Sequence, residues 1–389
     1  MAKNLVVCCD GTANEFKTDR TNVAKLCYAM EKDGRRQLVY YHPGLGTMAP
    51  PAFATGLGRG IARLAGLMFG YGIKKDIVDA YTFIMNHWEQ GDQLFLLGFS
   101  RGSYTARVLA ALLHMYGLAM PGNEPLIPYA VRMLWKIDGI RPSDTDHRSA
   151  YFALADDFKA TLSGIPCVPH FLGVWDTVSS VGWIGSPTAI PFTRNNPDIE
   201  IARHAVAIDE RRSFFRTNLL ATPLGRNVRQ VWFPGVHCDV GGGYAEASSG
   251  LSKIALKWMA EEAQAAGLLL DEGRLQEILG DGNDLFAKPD PNATLHNSMT
   301  PPWKLAEFVP KVRWDPKRKR KMWRANFFRQ RGFEPSPIVH DAAWQRQGYA
   351  SRLPRDARPL SQVWPTVPAA APAPVPISQP SSTNPPDPL

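Results

Sequence analysis

The sequence predicts an α/β fold in which a mostly parallel central sheet carries helices on both faces. Three observations predict it. Short apolar runs alternate along the chain with longer stretches of helical periodicity. The runs are continuous rather than apolar on every second residue, so both their faces are buried, as in a parallel sheet sandwiched by helices. Finally, Asp10, Ser100 and Asp176 each directly follow such a run, which is where a parallel sheet collects its reactive residues.

The elements follow in order. LVVCC, within residues 4–9, reads as a buried strand ended by Asp10-Gly11-Thr12. QLVYY (37–41) reads as a second strand. Residues 55–73 are rich in glycine and apolar residues, with Arg59 and Arg63 among them, and suggest a loop with a short amphipathic helix. Residues 74–89 form a helix, because Ile77, Ala80, Tyr81, Ile84, Met85 and Trp88 recur on one face and Gly91 follows. LFLLGF is the next strand, and SYTARVLAALLHMYG the next helix, stopped by Gly117. The change of texture over 118–165, with prolines, aromatics and scattered charges, predicts a cap insertion. HFLGVWD (170–176) is another strand ending in an acid, and 199–217 reads as helical. VRQVWFPGVHCDVGGGY (228–244) is a strand running into a glycine-rich loop, and 251–266 a helix closed by Gly267. The expected organisation is a catalytic domain over 1–300, a basic aromatic extension over 301–353, and a Pro/Ala-rich disordered tail over 354–389.

Composition narrows the class. The chain has 389 residues, 44% hydrophobic and 21% charged, which suits a sizeable core. Of its net charge of +8, residues 301–358 alone carry 15 Lys/Arg against 5 Asp/Glu, so the remainder is close to neutral. The cysteines are odd in number, and Cys8 and Cys9 are adjacent, which argues against a disulfide framework and for a reducing compartment. No apolar stretch reaches the ~18 residues of a membrane span, and the N-terminal apolar run is too short for a signal peptide. The expected location is therefore the cytoplasm, or export without a signal peptide.

The stretch Gly98-Phe99-Ser100-Arg101-Gly102 joins a strand to a helix. A serine there is presented at the carboxyl edge of the sheet, flanked by glycines that let strand and helix pass closely. The same pattern also occurs at plain strand-to-helix turns. Asp176, after FLGVW, is placed to orient a histidine, though Asp-Thr also caps turns. His237 lies between Gly235 and Gly241-Gly242-Gly243, in a loop able to deliver an imidazole. The chain order Ser100, Asp176, His237 is that of α/β-hydrolases, with each residue after a different strand. Oxyanion donors would be the amide of Arg101 and an amide from Gly11 or Thr12. Asp10 is a candidate brace for that loop. Asp239 is a competing acid, His204 and Asp209 form a candidate supporting cluster, and His340 is an alternative base. Cys238 with its neighbours lacks a paired zinc motif, so no metal and no cofactor are expected. Residues 311–331 mix lysines and arginines with Trp314, Trp323, Phe327 and Phe328. They suit an anionic lipid surface. No nucleic-acid fold motif accompanies them, so no nucleic acid is expected.

CDGTANE (9–15), GLGRGIARLAGLMFGYGI (56–73), IVDAYTFIMNHWEQGDQLFLLGFSRGSYTAR (77–107), FLGVWDTVSSVG (171–182), ARHAVAIDERRSFF (202–215) and VWFPGVHCDVGGGY (231–244) resemble the family grouped as domain of unknown function 2235, which includes the Tle1-type phospholipase effectors of bacterial type VI secretion. The resemblance spans most of residues 5–260, in order. It implies an α/β-hydrolase fold and a Ser-Asp-His hydrolase, with phospholipase activity in the best-known members, and with Ser100, Asp176 and His237 at the matching positions. It also leaves room for a secretion carrier or immunity protein. The sequence reading is thus a serine hydrolase of lipid esters. A soluble small-ester esterase and a non-catalytic binding or delivery protein using 311–331 are the alternatives.

Overall fold

The computed structural model describes residues 2–11, 20–44, 72–137, 140, 144–164, 166–178, 182–183, 186–187, 190–221, 227–282, 284–315 and 320–364. Eight strands form its central sheet: β1 (Asn4–Cys9), β2 (Gln37–His42), β3 (Gln93–Phe99), β4 (Pro169–Trp175), β5 (Ile201–Ala207), β6 (Asn227–Phe233), β7 (Ile338–Val339) and β8 (Arg358–Pro359). Their order is β8-β7-β6-β5-β4-β3-β1-β2, and every neighbouring pair is parallel. This is an α/β-hydrolase-like arrangement.

The period-2 geometry of a strand explains the two cores. Leu5, Val7, Leu94, Leu96, Leu172 and Val174 point to one face. There they pack against α2 (Ile73–His87), α3 (Arg101–Tyr116), α4 (Ile127–Lys136) and α5 (Thr145–Leu162). Val6, Cys8, Phe95, Leu97, Phe171 and Trp175 point to the other. Their partners are α1 (Asn22–Ala29), α7 (Gly250–Ala265) and α8 (Glu272–Ile278), with α6 (His237–Gly241) at the sheet edge. Helix α1 starts where Thr21 Oγ1 accepts the Ala24 amide at 3.2 Å, a side-chain cap that the sequence reading did not identify.

Three expectations change. Residues 201–207 are a strand, not part of a helix. IARHAVA lies between β4 and β6 in full register, and pairing on both sides outweighs the helix preference of its alanines. The sheet also runs past residue 300: β7 and β8 are its outer strands, so part of the expected extension, and the start of the expected tail, belong to the body. Residues 311–331 contain an antiparallel hairpin, Lys311–Asp315 with Arg320–Arg324. The expected cap region contains α4 and α5, packed beside α2 and α3. The glycine-rich segment expected as a loop and helix lies outside the described residues up to 71, and Gly72 caps α2 in a left-handed conformation, φ 97°.

The chain runs from β1 outward to β2 and then returns to β3 on the other side of β1. The strand order therefore reverses between β1 and β3, which opens a crevice at their carboxyl ends. Asp10-Gly11 leave β1 there, and Ser100 leaves β3.

Candidate active site

Ser100 sits between β3 and α3 with φ 60° and ψ −119°, a conformation strained for any residue with a Cβ. Close packing enforces it. A Cβ on Gly102 would lie 2.0 Å from the Cys9 carbonyl oxygen, and one on Gly98 would lie 2.6 Å from the Gly102 carbonyl oxygen. Ser103 ties the turn down, donating to the carbonyls of Gly98 (2.7 Å) and Trp175 (2.8 Å). The turn therefore aims the Ser100 hydroxyl away from strand and helix alike.

His237, at the start of α6, accepts from Ser100 Oγ through Nε2 at 2.8 Å. Its Nδ1–H donates to Asp176 Oδ2 at 2.5 Å. Asp176 follows β4 with φ 38°, and its Oδ1 accepts the Ala207 amide at 2.9 Å. All three residues are buried. Phe99 packs 4.6 Å from the imidazole and Phe215 stands edge-on at 4.8 Å. Gly241 makes room for this: a Cβ there would lie 1.8 Å from the Phe99 ring.

The electrostatics set the protonation states. Burial opposes the charge of Asp176, yet Arg331 and His237 overcome it and hold the carboxyl well below the usual range. Arg331 grips both carboxylate oxygens, at 2.5 and 3.0 Å, and also donates to the carbonyls of Ala207 (3.1 Å) and Phe215 (2.7 Å). Burial lowers the His237 pKa, and the Asp176 charge only partly offsets this. The imidazole is therefore neutral near pH 7, with Nδ1 protonated and Nε2 open to accept a proton.

The other residues singled out in the sequence fall around this chain. Asp10 accepts the Gly11 amide, the Thr21 hydroxyl and the Tyr41 hydroxyl, each at 2.6 Å, and so shapes the loop after β1. The Gly11 backbone touches the nucleophile turn, since a Cβ there would lie 3.4 Å from Ser100 Cβ. Its N–H, however, is committed to Asp10. Thr12 lies outside the described residues. Arg101 is the first residue of α3, so its amide stands at the positive end of that helix beside Ser100.

Asp239 does not reach His237. It accepts the Val236 amide at 3.0 Å and the His296 Nδ1–H at 2.6 Å, and His296 Nε2 in turn lies 3.2 Å from Ser248 Oγ. Asp209 clamps the histidine loop: it accepts from Gly235 N–H (2.8 Å), the Tyr349 hydroxyl (2.5 Å) and Arg352 (2.5 Å). His204 accepts the Thr177 amide at Nε2 (3.2 Å) and donates from Nδ1 to Gln230 (3.0 Å), which fixes the backbone just after Asp176. Burial pushes its pKa to about 3, so it is a neutral brace. His340 stacks on Phe233 at 4.8 Å and accepts the Ala342 amide, away from Ser100. Among the described residues, no cluster of His, Cys, Asp or Glu is arranged to hold a metal.

Two residues escaped the sequence reading. Arg331 was only one of many cations in a basic stretch. Glu210 accepts the His237 amide at 3.2 Å and forms a two-pronged pair with Arg212 at 3.0 and 2.9 Å. Burial opposes its charge, but Arg212 holds its carboxyl at about 2. The adjacent Asp-Glu-Arg-Arg run was the available signal for both a carboxylate and its counter-ion.

A cleft of about 1050 Å³ opens beside this group. Its walls come from Tyr104, 190–195, 210–213, 215–219, Asn326 and 329–332, with none from the expected cap region.

A parallel α/β-hydrolase-like sheet carrying a Ser–His–Asp hydrogen-bond chain at its carboxyl edge defines the class of the molecule. Residues 3–262 match the model of the T6SS phospholipase effector Tle1-like catalytic domain, and the chain belongs to that family. The uncharacterized protein YEL023C of Saccharomyces cerevisiae is 36% identical over 231 residues, covering 57% of this chain and 33% of its own length. This chain thus spans about a third of that relative. Among solved structures, an uncharacterized protein from Pseudomonas aeruginosa aligns with TM-score 0.40 at 19% identity, over 70% of this chain and 49% of that one. The Tle1 effector bound to the VgrG spike of the type 6 secretion system aligns with TM-score 0.35 at 18% identity, over 64% and 52%.

Proposed function

We propose that this chain hydrolyses carboxylic esters of lipids, phospholipids foremost, through a Ser100–His237–Asp176 triad and an acyl-enzyme. The observation that carries the reading is the continuous chain from Ser100 Oγ through His237 to Asp176 Oδ2, at 2.8 and 2.5 Å, starting from a strained serine at the carboxyl end of β3.

His237 Nε2 takes the hydroxyl proton as Ser100 Oγ attacks the ester carbonyl. The resulting oxyanion is held by the Arg101 amide, with the loop after β1 closing the other side. Asp10 shapes that loop and takes up the Gly11 N–H, so of the two donors named in the sequence analysis the proposal keeps Thr12. Collapse of the intermediate breaks the ester C–O bond, and His237 returns the proton to the leaving alcohol. Water, deprotonated by the same imidazole, then cleaves the acyl-serine and regenerates the free hydroxyl. Asp176 stabilises the transient imidazolium, and Arg331 and Glu210 keep acid and imidazole in place.

Family membership favours a lipid substrate, and so does the surface. Leu305, Phe308, Trp323, Phe327 and Phe328 are exposed, and Phe308 gathers the two phenylalanines at 5.9 and 5.8 Å. Phe327 and Phe328 both have positive φ, 50° and 59°. Buried Glu307 holds this turn, accepting the Phe328 amide at 3.1 Å. An apolar patch on a basic segment suits the interface of an anionic membrane. No helix among the described residues is long and apolar enough to cross one. Delivery by type VI secretion, with a carrier and an immunity protein, is the setting that the family suggests; action in the cytoplasm is the other.

Mass spectrometry of products from mixed phospholipid vesicles and a soluble short-chain ester, with the wild type and Ser100→Ala, tests the proposal. Fatty acid and lysophospholipid from the wild type alone support it. Cleavage of the soluble ester alone would remove the lipid assignment, and no cleavage of either would count for the binding-protein alternative.

A further inference from the structure

On the reading that Ser100 is the nucleophile of a lipid esterase, we infer that the cleft beside it selects esters carrying an unshielded phosphate, so that anionic phospholipids are preferred to zwitterionic ones. The cleft is lined by Arg194, Arg211, Arg212, Arg216, Arg329 and Arg331, with Glu210 as the one carboxylate of its lining. Glu210 neutralises Arg212, and Asp176 neutralises Arg331. Among the described residues, no carboxylate forms an ion pair with Arg194, Arg211 or Arg329. Like charges crowded round one cavity repel one another, and an anion in that cavity relieves the repulsion.

The guanidinium groups suit phosphate. Each presents a planar fork of donors that matches two phosphate oxygens. Several are also fixed in advance. Arg194 Nε donates to the Leu219 carbonyl at 3.0 Å, and Arg212 lies 3.5 Å over the Phe215 ring while Glu210 grips it. Preset donors lose little freedom when the ligand arrives.

The cleft also lies where a headgroup would fall. Tyr104, one turn after Ser100 on α3, lines it, and so does Phe215, whose ring packs on His237 at 4.8 Å. In a glycerophospholipid the phosphate is a few covalent bonds from the acyl esters. A substrate with its ester at Ser100 thus brings its phosphate to the neighbouring cavity. Phosphatidylcholine carries its own cation against that phosphate, so an arginine cleft gains less from it than from phosphatidylglycerol.

The test uses short-chain phosphatidylglycerol and phosphatidylcholine with identical acyl chains, below their micelle concentrations, so that adsorption to a charged membrane plays no part. The wild type should favour phosphatidylglycerol by about tenfold or more in kcat/KM, and the exposed triple variant Arg194→Gln/Arg211→Gln/Arg329→Gln should bring the ratio to within about twofold. Calorimetric titration of the Ser100→Ala chain with the same lipids and with inorganic phosphate gives a readout independent of turnover. Phosphatidylglycerol should bind more tightly than inorganic phosphate, and the three glutamines should abolish the difference between the two lipids. Hydrolysis of both lipids at equal kcat/KM by the wild type would overturn the selectivity and leave the esterase reading standing. Inorganic phosphate binding as tightly as phosphatidylglycerol would overturn it too, because the cleft would then hold a free anion rather than a headgroup. If no ester is cleaved, yet phosphatidylglycerol binds through the three arginines, the cleft assignment holds and the esterase reading falls.

Discussion

Replacing Arg331 with glutamine should affect both stability and the pH dependence of hydrolysis. Arg331 spans both oxygens of Asp176 at 2.5 and 3.0 Å, and Asp176 is wholly buried. The substitution leaves that carboxylate with the Ala207 amide and His237 as its remaining partners of the kind described. Breaking a buried pair from one side costs about 3–5 kcal/mol. For a domain of this size that corresponds to a fall in Tm on the order of 10 °C. The kinetic effect has a definite sign. Arg331 and His237 share the Asp176 carboxylate, so removing the cation strengthens that carboxylate's pull on the imidazole and favours imidazolium. The proposed mechanism needs neutral His237, whose pKa is lowered in the native molecule. The acid limb of kcat/KM against pH should therefore move upward in Arg331→Gln, and activity at pH 6 should fall more than at pH 8. Arg331→Lys keeps the charge and should leave the limb nearly where it was, even if the rate drops. The assay is kcat/KM for a soluble ester between pH 5 and 9, with thermal unfolding alongside. An unmoved acid limb in the glutamine variant would refute the role of Arg331 in tuning the triad. An unchanged Tm would refute the buried pair itself.

The remaining predictions are briefer. Asp176→Asn should lose most of the ester turnover, whereas Asp239→Asn should retain far more, because Asp239 serves His296; the reverse ranking in steady-state kinetics would exchange the two roles. Gly241→Ala places a Cβ 1.8 Å from the Phe99 ring, so it should push Phe99 against His237 and cut kcat by at least about tenfold; wild-type turnover would show that the ring is free to move. Trp323→Ser with Phe327→Ser should weaken sedimentation with anionic vesicles, and adding salt should weaken the wild type in the same assay; unchanged binding would remove the exposed aromatics from the membrane contact.

Much of this arrangement is legible from the sequence, for physical reasons. β3 and β4 are continuous apolar runs that end in Ser100 and Asp176, and continuity of that kind specifies a strand buried on both faces. Gly98 and Gly102 announce a close approach that the distances to Cys9 and Gly102 backbone atoms explain. β5 was hidden because IARHAVA has residues at ease in a helix, and only its neighbours on both sides make it a strand. Arg331 was hidden because it lies 155 residues from Asp176, in a stretch where every cation reads as solvated. The difference between Asp176 and Asp239 as acid was equally unreadable, since it depends on His296 arriving from another part of the chain.

The most direct measurement of the central claim is peptide mass spectrometry after brief exposure to a fluorophosphonate, which phosphonylates an activated serine. The wild type should carry one adduct on Ser100, and His237→Ala should react at least about a hundredfold more slowly, because the hydroxyl has lost its base. Labelling at another serine, or labelling at Ser100 that does not depend on His237, would contradict the triad.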